Sequence, residues 1–217
     1  MRWDYLFFDL DGTLTDPAEG ICGCIRYALE KDGRPTGPME EYFPWIGPPL
    51  EYSFREFAGV SEADIPRLVS YYRERFSTIG LFENRVYPGI HEMLAALKAA
   101  GARMAIATGK PTVFTERILD RFDLRQYFDC VNGITLGIQP ETKAQVIARG
   151  MEQLSATDRG RCVMIGDRKH DVAGARACGI PCVGVLYGYG SREELETAGA
   201  TDTVESVAQL QTLLLAQ

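Results

Sequence analysis

The sequence predicts an α/β fold, a parallel sheet covered by helices, with an all-helical insertion placed directly after the first strand. Two observations carry this. After residue 85, short β-branched or apolar runs alternate with amphipathic stretches of helical spacing, the pattern of parallel strands packed between helices. Between the first apolar run and residue 85, the pattern is helical throughout.

Taken in order, residues 5–9 (Tyr-Leu-Phe-Phe-Asp) form the first predicted strand, apolar on both faces as a central parallel strand must be. Helical patterns follow at 18–32, 39–43, 49–58 and 62–79, broken at Pro35, Gly37, Pro38 and Gly47-Pro48-Pro49. The chain leaves and re-enters the sheet region through Thr15-Asp16-Pro17 and Arg85-Val86-Tyr87-Pro88-Gly89. Predicted domains are therefore residues 1–16 with 85–217, and residues 17–84. Further strands are expected at 103–107, 130–132, 162–165 and 181–185, with helices in the gaps. Residues 204–217 read as a final amphipathic helix with Val207, Leu210, Leu213 and Leu214 inward.

Composition narrows the function classes. With 217 residues, 46% apolar and 24% charged, the chain is neither disordered nor fibrous and needs no metal or disulfide staple to fold. Its net charge is −7, from 30 acidic and 23 basic residues, with no Lys/Arg block, so nucleic acid is not an expected partner. No apolar run reaches the roughly 18 residues a membrane span needs, and the first residues carry acids where a signal peptide needs an apolar core. A soluble cytoplasmic protein, monomer or homodimer, is expected. The six cysteines are read as reduced, mostly buried thiols; Cys22-Gly-Cys24 lacks metal-site spacing and a second ligand pair.

Ligands of open α/β sheets bind beyond the carboxyl ends of the strands. There the sequence places Asp9 and Asp11 after the first strand, Thr108, Gly109 and Lys110 after the second, and Asp167 and Asp171 after the fourth, while Lys143 opens a helix between. In Asp9-Leu10-Asp11-Gly12-Thr13, two carboxylates can divide labour, one as a nucleophile on phosphorus and one as general acid and base. A carboxylate approaching a phosphate dianion needs cations. Asp167 and Asp171 with Asp9 suit Mg²⁺, Lys143 supplies a fixed charge, and Thr108 adds a hydroxyl beside backbone N–H donors. Each alone has an ordinary explanation: Thr108 can cap a helix, Lys143 can be a solvated charge, and Gly166-Asp167 can be a βα turn. Their joint occurrence at strand ends points to phosphoryl transfer.

These residues resemble the haloacid dehalogenase superfamily in its phosphatase branch. Asp9-x-Asp11-Gly12-Thr13-Leu14-x-Asp16 is similar to the first motif, Ala107-Thr108-Gly109-Lys110 to the second, Lys143 to the third, and Gly166-Asp167-x-x-x-Asp171 to the fourth. The resemblance covers essentially the whole chain. It implies a Rossmann-like, doubly wound core with a helical cap inserted after the first strand, Asp9 as nucleophile and Asp11 as acid/base. Mg²⁺ would be held by Asp9, the Asp11 backbone carbonyl and Asp167, supported by Asp171. The second acid, Asp11, distinguishes phosphate from halide chemistry.

Residues 46–50, 80–84 and 184–191 look similar to the 5′-nucleotidase-like and phosphoglycolate-phosphatase-like group, which implies a small phosphorylated metabolite as substrate. Gly109 stands where that group carries a serine, and residues 136–140 (Leu-Gly-Ile-Gln-Pro) replace its acidic segment. Gly12, Thr108, Gly109 and Lys110 are expected to meet the substrate, with Gly47 as the candidate from the cap. Lys110 either reaches phosphate or holds its loop; Arg168, Lys169 and His170 either pair with Asp9 or face solvent; Arg55 is expected to be solvated. Two other readings share part of the pattern. A sugar-phosphate mutase of the superfamily carries a histidine shortly after the first motif, and no histidine precedes His91 here. A phospho-accepting receiver places its acceptor after a later strand and has no cap.

Overall fold

The computed structural model describes residues 1–136 and 141–216, so the segment departing from the family pattern at 137–140 lies outside the described residues. The chain forms two compact units, Met1–Thr15 with Val86–Gln217, and Asp16–Arg85. In chain order the elements begin β1 (Tyr5–Phe8), β2 (Thr15–Asp16), α1 (Ala18–Lys31), α2 (Leu50–Ala58), α3 (Ile65–Arg75), β3 (Arg85–Val86), α4 (Ile90–Ala99) and β4 (Arg103–Pro111). They continue α5 (Thr112–Arg121), β5 (Cys130–Ile134), α6 (Lys143–Gln153), β6 (Cys162–Gly166), α7 (Lys169–Cys178), β7 (Cys182–Val185), α8 (Arg192–Ala198), β8 (Asp202–Val204) and α9 (Val207–Leu215).

The first unit is built on a six-stranded sheet in the order β5-β4-β1-β6-β7-β8, with every neighbouring pair parallel. Central β1 buries Leu6, Phe7 and Phe8 completely, which accounts for its unbroken apolar run. Phe7, Ala105, Ala107, Val146, Ile147, Met164 and Val172 belong to one core cluster that joins strands to α6 and α7. The chain proceeds from β1 to one side of the sheet and later returns to its other side at β6. The switch point of the sheet therefore lies between β1 and β6, where such folds bind ligands.

The second unit is helical. Residue Asp16 accepts a hydrogen bond from Ala18 N at 3.1 Å, starting α1, whose Ile21, Ile25, Ala28 and Leu29 are buried at helical spacing. Leu68, Val69 and Tyr72 of α3 are buried likewise, and a 3₁₀ turn over Met39–Trp45 buries Tyr42 and Trp45. Arg75 makes a forked pair with Glu83 at 2.7 and 2.9 Å. Arg55 is exposed and tied to Glu56 and Glu62.

Several boundaries differ from expectation. β4 runs to Pro111 rather than ending at 107, with an irregular register between Ala107 and Pro111, so Thr108, Gly109 and Lys110 lie within the strand's irregular end. The helix expected over 62–79 starts at Ile65 and closes in a wider π turn over Phe76–Gly80. Residues 202–204 form an edge strand where the final helix was expected to begin, and Leu213 is half-buried rather than inward. All six cysteines are free; Cys130 is half-buried and the others are buried. Among the described residues, no helix is long and apolar enough to cross a membrane.

Candidate active site

Asp9 follows β1 directly, and its N–H continues the ladder to Ile165 O of β6 at 2.9 Å. This puts its carboxylate at the switch point, beside the turn that carries Asp167. Asp9, Asp167 and Asp171 are buried, at 8, 0 and 1% exposure, and one carboxylate oxygen from each lies within 4.8 Å of the others. Lys143, the first residue of α6, reaches into this group. Its Nζ donates to Ala107 O at 3.2 Å and lies 3.0 Å from Asp9 Oδ1 and 2.7 Å from Asp171 Oδ1. The helix start that aims Lys143 is fixed by a capping box between Thr142 and Gln145.

Three buried carboxylates face one ammonium. Burial opposes the charged form of Lys143, yet Asp171 and Asp9 hold its proton more tightly than usual. Burial pushes Asp167 well up, with Asp171 and Asp9 adding to the push, and raises Asp171 to about 6 against the pull of Lys143. The uncompensated negative charge and the all-oxygen donor set fit a hard divalent cation such as Mg²⁺. Gly12 leaves the room this needs: with φ +81°, a Cβ there would stand 2.2 Å from Asp167 Oδ2.

Asp11 takes a different environment. Its Oδ2 pairs with Lys110 Nζ at 2.5 Å, while Oδ1 is buried without a hydrogen-bond partner among the described residues. Burial raises its affinity for a proton; the Lys110 charge works the other way. The carboxylate grouped with Asp9 and Asp167 is that of Asp171, not Asp11. Thr108 is buried and its Oγ1 accepts from Lys110 N at 3.2 Å, so it shapes its own loop and is not the cap of α5, which starts after Pro111. Gly109 is exposed and a Cβ there meets nothing within 4 Å, so a serine would fit. Gly47 belongs to the helical unit, in the turn before α2, with φ +104°.

Arg168 pairs not with Asp9 but with Glu194 of α8, at 2.9 Å. Sequence reasoning assigned no role to the segment that leads into α8. Tyr187 donates its hydroxyl to Thr13 O at 3.0 Å, and Tyr189 N donates to Asp167 Oδ2 at 2.8 Å. Gly188 and Gly190 pack so closely on Gly12 and Asp167 that a Cβ at either would stand within 2.3 Å of a carbonyl oxygen. Beyond the resemblance of residues 184–191 to the 5′-nucleotidase-like group, the signal for this strap is its density of glycines.

Comparison with known proteins places this geometry in context. A family model described as haloacid dehalogenase-like hydrolase matches residues 6–185. A Pseudomonas aeruginosa protein named 5′-nucleotidase is 39% identical over 214 residues, 99% of this chain and 96% of its own. A Mycobacterium tuberculosis protein named tyrosine-protein kinase PtkA is 37% identical over 196 residues, 90% of this chain but 66% of its own. A phosphoglycolate phosphatase of Caulobacter vibrioides is 32% identical over 204 residues, 92% of this chain and 85% of its own. The crystal structure of a predicted phosphatase from Clostridium acetobutylicum superposes with a TM-score of 0.93 at 42% identity, covering 99% of both chains.

Proposed function

This chain belongs to the haloacid dehalogenase-like hydrolase family, and we propose that it is a Mg²⁺-dependent phosphomonoesterase acting on a small phosphorylated metabolite of the 5′-nucleotide or phosphoglycolate type. The observation that carries this reading is the buried Asp9, Asp167 and Asp171 group with Lys143, beside a second acid, Asp11, in a separate environment.

In this reading a carboxylate oxygen of Asp9 attacks phosphorus, and Asp11 gives its proton to the departing alkoxide oxygen. The products of this half are the free alcohol and an aspartyl phosphate on Asp9. Asp11, now ionised, takes a proton from water as that water attacks phosphorus, which releases inorganic phosphate and restores both carboxyl groups. Lys143 holds positive charge beside the Asp9 oxygen throughout, and Thr108 with the N–H groups of its loop offers donors to the phosphoryl oxygens. Asp9, the Asp11 backbone carbonyl and Asp167 would hold Mg²⁺, with Asp171 in support; when bound, the cation supplies charge neutralisation for the phosphoryl group. Residues 17–84 serve as the cap, and Gly47 as its candidate substrate contact.

The test is phosphate release from a panel of 5′-nucleotides, phosphoglycolate, sugar phosphates and an aryl phosphate, with Mg²⁺ and with chelator. Magnesium-dependent multiple turnover on a member of the panel supports the reading. Return of the phosphoryl group to a second sugar hydroxyl identifies a mutase instead, transfer to a tyrosine hydroxyl matches the activity for which PtkA is named, and a stable phosphoprotein without turnover identifies a receiver-like acceptor.

A further inference from the structure

The strap after β7 grips both segments that carry the proposed metal ligands, and the catalytic scheme gives it no part. Tyr187 donates its hydroxyl to Thr13 O at 3.0 Å, and two residues on Tyr189 N donates to Asp167 Oδ2 at 2.8 Å. Between them, Gly188 sits so near Gly12 O and the Asp167 side chain that no Cβ fits. Thr13 closes the circuit: it is fully buried, and its own hydroxyl lies 3.5 Å from Asp167 Oδ1, at the long end of hydrogen bonding. A single stretch of backbone thus ties the turn after Asp11 to the Asp167 carboxylate. The Tyr187 ring is held separately, edge-on to Tyr87 at 5.1 Å, so Tyr187→Phe removes the hydroxyl and keeps the packing.

We propose that Tyr187 is a positioning residue that makes the site selective for Mg²⁺ over Ca²⁺, by fixing Thr13 and, through it, the spacing between the Asp11 carbonyl and Asp167. This rests on the reading of Asp9, the Asp11 carbonyl and Asp167 as the groups that hold Mg²⁺. Mg²⁺ demands near-ideal octahedral geometry with short bonds, whereas the larger Ca²⁺ accepts a variable number and arrangement of oxygens. A rigid frame therefore favours the smaller ion, and loosening the frame costs Mg²⁺ more than Ca²⁺. Without the Tyr187 hydroxyl, the buried Thr13 carbonyl loses its donor and the turn can shift. Loss of outer partners that orient metal ligands typically costs about 10- to 100-fold in metal affinity.

The experiment is calorimetric titration of the metal-stripped full chain with Mg²⁺ and, separately, with Ca²⁺, below the melting temperature recorded for each variant. Tyr127→Phe, which removes a hydroxyl from the turn before β5, should match wild type for both ions. Asp167→Asn should lose Mg²⁺ binding. Tyr187→Phe should bind Mg²⁺ about 10-fold more weakly while its Ca²⁺ affinity stays within about threefold of wild type. A lower melting temperature with both affinities unchanged marks a structural role alone and overturns the proposal. So does an equal loss for the two ions, and in either case the metal site stands. Absence of Mg²⁺ binding in wild type, or undiminished binding in Asp167→Asn, overturns the metal-site reading and this proposal with it. Should Tyr187→Phe not fold, Thr13→Val decides, since it breaks the next link to Asp167: weaker Mg²⁺ binding with Ca²⁺ spared supports the proposal, and any other pattern refutes it.

Discussion

Asp9 and Asp11 stand two residues apart and meet different lysines, Lys143 for the first and Lys110 for the second. Identical side chains in unlike surroundings can take unlike roles, and this separation is what an acid–base partner to a nucleophile requires. Asp11→Asn keeps the shape but cannot deliver a proton, so turnover should fall on the order of 10²–10⁴-fold. The loss should be smallest for aryl phosphates, whose leaving group needs no proton; equal loss across leaving groups would deny Asp11 the acid role. The residues that form this group are legible in the sequence because acids, a lysine and a threonine recur at successive strand ends. The pairing of Lys110 with Asp11 is not, since side-chain reach across a loop leaves no mark in spacing.

At the scale of elements, the central strands are the most legible, because complete burial on both faces demands the unbroken apolar runs of β1 and β6. Edge strand β8 is three residues with only Val204 buried, too short and too polar to stand out from the helix behind it. Residues 187–190 stand out in the sequence only through their family resemblance and their glycines, and their contacts with Asp167 do not, for another reason: the strap holds Asp167 through a backbone N–H and through the absence of Cβ atoms, and neither has a side-chain signature. The start of α6 offers a direct test of how an element aims a residue. Thr142→Ala removes the cap that accepts from Gln145 N and should cost about 1 kcal/mol of stability. Because Lys143 is the next residue, activity at saturating Mg²⁺ should fall as well; a denaturant midpoint and a rate both equal to wild type would show that the cap does not fix Lys143.

For the molecule as a whole, the buried carboxylates make stability depend on pH and metal together. Burial raises the proton affinity of Asp167, Asp171 and Asp11 in the folded chain. Folded Asp171, at about 6, binds its proton more tightly than the unfolded group with its ordinary value of 3.8. Its contribution to metal-free stability is complete below the unfolded value and is lost as pH rises through the folded one. In the proposed reading Mg²⁺ acts in the opposite sense, since it would bind the ionised carboxylates and contribute about 2.7 kcal/mol at a hundred times its dissociation constant. Urea midpoints in chelator should therefore fall from about pH 4 to about pH 7, while the gain on adding Mg²⁺ widens over the same interval. A gain that is constant with pH would separate the metal from these carboxylates.

The most direct test of the account is to catch the phosphoryl group on Asp9. Wild-type protein mixed with a hydrolysed substrate and Mg²⁺ is quenched in acid within a turnover, reduced with borohydride and mapped by mass spectrometry. An aspartyl phosphate is reduced to homoserine, and the account predicts that residue 9 alone is converted, with no conversion in Asp9→Asn. Substrate turnover with residue 9 unmodified, or a conversion at another aspartate, would contradict it.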